Sequence, residues 1–309
     1  MSISIITPHF NDLQGIKQTH NCLRAQNSKN WEWIIVDDYS TMSTKETMTS
    51  YFKDYDSPNI KLILNDKKTT GSICRNIGVD YAKYEHIIFL DSDDFISEDF
   101  VSNRAIDVDD FVVFRNTNII DEKGNNKPSP TATSNYLDCF LQAKFIWPIT
   151  SVLWDKKYLT EIGKFNPDLN RLQDVELSIR ALILSKNYKV LDNKVDFFYC
   201  VAPININKRP VNVICESVDY LIKYMHDNYN LNKQQRSLVT GYYYLCVRYF
   251  NRSSNKSDIK YVQNSLKLFY KKKYMSYFSY LRGLSFIKLY KFSLMSSDYF
   301  LRLNRYFYK

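Results

Sequence analysis

The chain has 309 residues, 45% of them hydrophobic and 24% charged, and carries a formal net charge of +9. That is an ordinary balance for a globular chain long enough for one large domain with an appendage or for two domains. Six scattered cysteines show no C-x-x-C pair and no accompanying His cluster. This argues against a disulfide framework or a zinc site and for buried free thiols in a reducing compartment. The surplus of cations calls for an acidic partner, whether nucleic acid, anionic lipid or phosphorylated substrate.

The first residues, MSISIITPHF, enter a strand at once and lack a signal-peptide layout. Residues 3–7 read as a strand ended by Pro8, and 13–26 as a helix with Leu13, Ile16, Cys22 and Leu23 near one face. WEWIIV at 31–36 is a second buried strand, running into Asp37 and Asp38; a helix over about 43–55 and a strand at 59–64 follow. Residues 71–83 read as a helix turning Ile73, Ile77 and Ala82 inward, before a strand at 86–90. This alternation argues for an α/β fold with a parallel sheet and helices on both faces, in which ligands bind beyond the carboxyl ends of the strands. No glycine-rich dinucleotide or P-loop signature follows any strand, so dehydrogenase and P-loop readings have no support. DEKGNNKPSP at 121–130 reads as an exposed turn.

Three strand ends are polar: Thr7-Pro8-His9, Asp37-Asp38 and Asp91-Ser92-Asp93-Asp94. A lone Asp-x-Asp is more often a helix cap or a solvated turn than a metal site. Here it follows the buried run IIFL, and a second acidic pair ends another strand of the same sheet. Two acidic strand ends in one crevice call for a ligand, and oxygen-only ligands suit a hard divalent cation.

At these residues the chain resembles the family-2 glycosyltransferases of GT-A fold. SIITPHFN, WEWIIVDDYST, TTGSICRNIGVDYA and IIFLDSDDF stand in that family's order and spacing, and residues 151–182 resemble its acceptor-side segment. The resemblance covers roughly residues 2–200. It implies a GT-A nucleotide-sugar-binding domain with a mixed, mostly parallel sheet over 1–210; the pattern beyond it reads as a helical region over 211–309. Thr7 and Pro8 would border the nucleobase, and Asp37 or Asp38 would accept a hydrogen bond from its imide N–H, an ionised carboxylate being acceptor-only. Asp93 would ligate Mn²⁺ or Mg²⁺. Asp91 would contact the ribose or the metal's water shell, with Ser92 beside it. Asp94 would be structural, as a helix cap. Arg75 would reach the diphosphate or pair with a strand-end Asp, with Asn76 beside it. Asp174 would be the catalytic base for a single inverting displacement; Gln173 stands where the family commonly has Glu. Trp147, Trp154 and Tyr199 would line an acceptor pocket or pack in the core.

Beyond about Pro210 the pattern turns helical, with 218–229 and 238–250 as candidate helices and a turn at 251–258. From Lys260 to Lys309 there are 11 Lys or Arg and one acid, Asp298, with Tyr and Phe interleaved. Such helices suit an anionic membrane surface, the alternative being a small bundle with a basic outer face. Nucleic acid would accept a similar surface, but the glycosyltransferase-like body favours membrane. No stretch is long and apolar enough to span a bilayer.

The function expected is therefore metal-dependent, inverting, hexosyltransferase-type transfer from a nucleotide sugar, with uridine as the base. The acceptor would be a saccharide or lipid-linked glycan of bacterial surface polysaccharide or glycolipid assembly. The expected place is the cytoplasm, peripheral on the inner face of the membrane, with no nucleic-acid partner. The alternatives are a nucleotidyltransferase, against which TPHFNDLQG is a poor match to the usual Gly-rich loop, and a non-catalytic sugar-nucleotide-binding protein.

Overall fold

A computed structural model describes residues 1–54, 58–132, 134–201, 211–250 and 256–308. The strands are β1 (Ile3–His9), β2 (Trp31–Asp37), β3 (Ile60–Leu64), β4 (His86–Phe89), β5 (Phe95–Ile96), β6 (Phe111–Phe114), β7 (Asn118–Ile120), β8 (Asn126–Pro128), β9 (Val152–Asp155), β10 (Tyr188–Leu191) and β11 (Phe197–Cys200). The helices are α1 (Leu13–Arg24), α2 (Met42–Asp54), α3 (Gly71–Tyr81), α4 (Tyr136–Leu141), α5 (Lys156–Glu161), α6 (Gln173–Leu184), α7 (Val211–Asn228), α8 (Lys233–Leu238), α9 (Gly241–Arg248), α10 (Lys256–Lys271), α11 (Tyr277–Lys291) and α12 (Ser297–Tyr308). They form two compact units. One comprises 1–131, 146–167 and 180–203; the other comprises 132–145, 168–179 and 204–309, so α6 runs from one to the other. The expected boundary at 210, the end of the helix expected over 43–55 and the first part of the turn expected at 251–258 lie outside the described residues.

The first unit is built on a seven-stranded sheet in the order β10-β6-β9-β4-β1-β2-β3. Strands β4, β1, β2 and β3 are mutually parallel, as are β6 and β10, while β9 runs antiparallel between β4 and β6. The sheet is therefore mixed and mostly parallel. A smaller sheet has the order β5-β11-β7-β8. Both faces of the large sheet are covered, which is why β1, β2 and β4 read as near-continuous apolar runs rather than alternating ones. On one face Ile3, Ile5, Trp33, Ile35 and Ile88 share a core with Ile16 and Leu23 of α1. On the other, α3 lies so close to β1 that a Cβ at Gly78 would stand 2.3 Å from Ile6 Cγ2.

That close approach corrects the reading of α3. Its buried residues are Ser72, Cys74, Arg75, Gly78 and Val79, whereas Ile73 and Ile77 are only half-buried. Small side chains let the helix settle onto the sheet, and this carries Arg75 inward. Strand β1 also continues through Pro8 to His9 rather than stopping before the proline. Its pairing with β4 ends at Ile6↔Phe89, so Pro8 falls where no ladder with β4 needs its missing N–H. DEKGNNKPSP, expected as a turn throughout, holds a turn at Asp121–Asn125 and then the short strand β8.

The second unit is helical and has its own core. Ile214, Val218, Leu221 and Ile222 of α7, Tyr242 and Tyr243 of α9, and Val262, Leu266 and Phe269 of α10 are all buried. Helices α10, α11 and α12 are joined by two turns of one design, 20 residues apart: Tyr274-Met275-Ser276 and Leu294-Met295-Ser296. In the first turn the N–H of Tyr274 donates to Phe269 O; in the second, Leu294 donates to Leu289 O. Each turn has one residue in the left-handed region, Lys273 at φ 60° and Ser293 at φ 60°. The repeat was visible in the sequence as the spacing of the two Met-Ser pairs. It was obscured by differing charges, the first turn carrying Lys271-Lys272-Lys273 and the second Lys291-Phe292-Ser293.

Candidate active site

The site lies at the carboxyl ends of β1, β2 and β4. β1 sits between the other two, so the chain leaves the sheet in opposite directions at this point. This is the switch point at which open α/β sheets present a crevice. Here Thr7, Pro8, Asp37 and Asp38 gather on the β1–β2 side, and Arg75, Asp91, Ser92 and Asp93 on the β4 side.

The two neighbouring aspartates of β2 do different work. Asp37 is fully buried: one oxygen meets His9 Nδ1 at 2.8 Å, and the other accepts the Ser40 N–H at 2.9 Å. Burial disfavours its charge, but the His9 and Ser40 hydrogen bonds outweigh this and hold its carboxyl below the usual range. His9 Nε2 in turn accepts the Asp12 N–H at 2.9 Å, so Asp37 fixes the loop into α1. Asp38 accepts from both the N–H and hydroxyl of Thr69, at 2.7 and 2.6 Å, and its other oxygen meets Lys68 Nζ at 2.8 Å. Burial again opposes its charge, and the Lys68 and Thr69 bonds again prevail. Lys68 is half exposed and also lies over the ring of Phe10. Of the pair, Asp38 is the one whose partner opens to solvent.

Thr7 is buried, its hydroxyl accepting the Trp33 indole N–H at 2.8 Å, so its side chain braces β1 on β2. Pro8 is half-buried, and the exposed rings of Phe10 and Tyr39 follow the ends of β1 and β2. Tyr39 takes a left-handed φ of 63°. The two loops are tied together, Asn11 Oδ1 accepting the Thr41 N–H and Ser40 Oγ accepting the Asn11 N–H.

Beyond β4, one oxygen from each of Asp91, Asp93 and Asp94 can be chosen so that all lie within 4.8 Å of one another. Arg75 Nη2 donates to Asp91 at 2.6 Å, which is the strand-end pairing of the two alternatives expected for this residue; its Nε is buried without a partner. Ser92 Oγ donates to Asp12 Oδ2 at 2.7 Å, and a Cβ at Gly15 would stand 2.6 Å from Ser92 O, so a glycine lets the start of α1 abut this loop. Asp93 is exposed, yet its carboxyl is raised above the usual range, first by the protein crowding that thins its hydration and then by the charge of Asp91. Burial, then the charge of Asp91, pushes Asp94 well above that range. Asp94 is structural, as expected, but it is not a helix cap: it accepts the Cys200 N–H at 2.8 Å and pins β11. One arginine does not balance three converging carboxylates. Their all-oxygen donor set fits a hard divalent cation.

Asn76 commits its amide to a neighbouring segment. Its Oδ1 accepts the Phe165 N–H at 2.9 Å and its Nδ2 donates to Phe165 O at 2.8 Å. Arg180 grips the same segment, donating to Ile162 O and Lys164 O, and Lys164 pairs with Asp80. Trp154 is 1% exposed and packs on Phe111, centroids 5.2 Å apart, so of its two expected roles it takes the core one. Trp147 is buried too, whereas Tyr199 is exposed on β11.

Asp174 belongs to the second unit. It sits in the first turn of α6, inside the helix rather than at its cap, where a carboxylate complements the helix dipole. Its charge adds to burial in raising the Tyr242 hydroxyl. Asp12, Lys68 and Thr69 escaped sequence reasoning, and His9 was seen only as part of a polar strand end, because each acts through a partner distant in the chain. Phe10 and Tyr39 left a legible signal, each being an aromatic residue directly after a polar strand end.

The model of the family described as glycosyl transferase family 2 matches residues 4–164. The amylovoran biosynthesis glycosyltransferase AmsB of Erwinia amylovora is 30% identical over 197 residues, 59% of this chain and 64% of that protein. The match thus spans less than two thirds of AmsB. Among solved structures, Staphylococcus aureus TarS 1–349 in complex with UDP-GlcNAc superposes with a TM-score of 0.65 at 17% identity, covering 88% of this chain and 81% of that one. The mannosyltransferase PcManGT of Pyrobaculum calidifontis, in complex with GDP-Man and Mn²⁺, gives 0.57 at 12% identity, covering 98% and 86%. These two likenesses show the GT-A fold alone. The family match runs from β1 through α5 and takes in all three polar strand ends, and by it the chain belongs to glycosyl transferase family 2.

Proposed function

We propose that the protein is a metal-dependent, inverting glycosyltransferase that moves a sugar from a UDP-sugar to a saccharide or lipid-linked acceptor in bacterial surface polysaccharide or glycolipid assembly. The observation that carries this is the convergence of Asp91, Asp93 and Asp94 at the end of β4, beside Arg75 and next to the β1–β2 crevice. UDP-GlcNAc in TarS, Mn²⁺ in PcManGT and the pathway named for AmsB support it. Catalysis is assigned to residues 1–210 and membrane attachment to 211–309.

In this reading Thr7, Pro8 and Asp38 border the base, with Asp37 holding their frame. Asp93 and Asp91 hold Mn²⁺ or Mg²⁺, which when bound neutralises the diphosphate leaving group as a Lewis acid. Arg75 aims Asp91 through its hydrogen bond, and Ser92, tied to Asp12, fixes the loop. Asp174 takes the proton of the acceptor hydroxyl, which allows one displacement with inversion. Among the described residues no helix is long and apolar enough to cross a membrane. The basic, aromatic helices of the second unit support peripheral attachment at the cytoplasmic face.

The test is incubation with a panel of nucleotide sugars and Mn²⁺, with and without candidate acceptors. Slow release of a nucleoside diphosphate from one donor, and transfer once an acceptor is present, is the expected result. Release of pyrophosphate would mark a nucleotidyltransferase, and binding without turnover a non-catalytic protein.

A further inference from the structure

The turn between α10 and α11 faces α8 across a groove of about 670 Å³. Lys233, Arg236 and Lys273 line it together with Tyr270, Tyr274 and Tyr277, and no carboxylate is among the residues that line it. Arg236 is half-buried and its Nε donates to Leu231 O at 2.9 Å, which fixes the direction of the guanidinium. Asp227, near the groove, is engaged by Lys272 at 2.9 Å, outside the lining. Tyr270 stacks on Tyr280 with centroids 5.1 Å apart, so one wall is stiff. The second turn, of the same backbone design, puts Phe292 and Ser293 where the first has Lys272 and Lys273. Of the groove's cations, Lys233 and Arg236 come from α8 and Lys273 from the first turn, and the second turn has Ser293 where the first has Lys273.

We infer that this groove is a phosphate pocket for the headgroup of an anionic membrane lipid, an inference that rests on the peripheral attachment proposed above. Three cations with no lining acid suit a phosphate, and the one held at Nε, Arg236, presents its remaining donors in a planar fork. The lip of the groove decides between lipid and other phosphates. Tyr277 lines it, and the next residue, Phe278, is 77% exposed, with Leu281 exposed one turn further along α11. An exposed phenylalanine and leucine beside a cationic pocket are costly in water and gain nothing from a soluble phosphate. They are placed to enter the acyl boundary while the headgroup occupies the groove.

The test is flotation of the full chain with vesicles of phosphatidylcholine alone and of phosphatidylcholine with phosphatidylglycerol. The groove variant carries Lys233→Gln, Arg236→Gln and Lys273→Gln. A control of equal charge carries Lys267→Gln, Arg302→Gln and Arg305→Gln, all exposed in the same unit. A milder groove variant, Lys233→Gln with Lys273→Gln, keeps the Arg236 bond to Leu231, and thermal melting checks that each variant folds. Wild-type protein should float only with the anionic vesicles. The groove variant should bind about 100-fold more weakly, from roughly fivefold for each of its three cations at the surface, and the control less than about fivefold. Phe278→Ser should weaken the binding that remains at high salt. Equal losses in groove and control variants would overturn the pocket while leaving membrane attachment standing. No flotation of the wild type would overturn both. Release from vesicles by millimolar glycerol phosphate, or tighter binding of a single-stranded oligonucleotide than of vesicles, would assign the groove to a soluble phosphate or to nucleic acid and overturn the lipid assignment.

Discussion

Asn76→Ala separates a framework role from a donor-binding one. The amide makes two hydrogen bonds to the backbone of Phe165, at 2.9 and 2.8 Å, and Phe165 is itself fully buried against Phe89. Truncation leaves a buried N–H and a buried C=O without partners, at about 1–3 kcal/mol each. Part of this is recovered because Arg180 still holds Ile162 O and Lys164 O. The net loss should be about 2–4 kcal/mol, a large share of the ordinary stability of a domain. Asn76→Asp should fare no better, since it sets a carboxylate oxygen against Phe165 O. Urea unfolding followed by tryptophan fluorescence measures the loss, and calorimetric titration with UDP below the transition measures the donor site. The expected result is a lowered urea midpoint with UDP affinity within about threefold of wild type. An unchanged midpoint with UDP binding weakened tenfold or more would refute the framework role and return Asn76 to the donor site.

Asp93→Asn should be no less stable than wild type in cation-free buffer at neutral pH, because the folded state raises the pKa of Asp93 and its ionised form is held at a cost. Mn²⁺ at a hundredfold excess over its dissociation constant should stabilise wild type by about 2.7 kcal/mol and leave the variant unmoved, read by thermal melting. Asp174→Asn should keep UDP binding and lose about 10²–10⁴ in transfer rate; loss of UDP affinity with near-normal turnover would move Asp174 to the donor site. Asp219 in α7 is pushed up to about 6, chiefly by burial, and one of its oxygens is buried without a partner. A raised carboxyl stabilises the fold below the unfolded pKa of about 4, and that contribution is lost as pH rises through about 6. Asp219→Asn should therefore raise the melting temperature at pH 8 and not at pH 4, and equal effects at both would contradict the assignment.

Much of the sheet was legible because β1, β2 and β4 are buried on both faces and each ends abruptly in polar residues. What escaped was set by partners distant in the chain. Arg75 was expected to reach the diphosphate or a strand-end Asp, but its burial showed only in how tightly Gly78 lets α3 approach β1. Asp37 and Asp38 are indistinguishable in sequence; only His9 and Ser40 on one side, and Lys68 and Thr69 on the other, tell them apart. Asp94 resembled a helix cap because the N–H it accepts, from Cys200, is more than a hundred residues away. Of the tail, helicity and basic-aromatic character were legible, but the meeting of Lys273 with Lys233 and Arg236 of α8 needed the fold.

The most direct test of the central claim, that Asp91 and Asp93 hold a cation through which the donor diphosphate is bound, is the dissociation constant of UDP in Mn²⁺ and in EDTA, for wild type and for Asp93→Asn. Two ligands that share a site's charge tighten one another reciprocally, commonly by about 5–150-fold. UDP should bind wild type at least about tenfold more tightly in Mn²⁺ than in EDTA, and Asp93→Asn equally weakly in both. Wild-type affinity that does not depend on Mn²⁺ would contradict the claim.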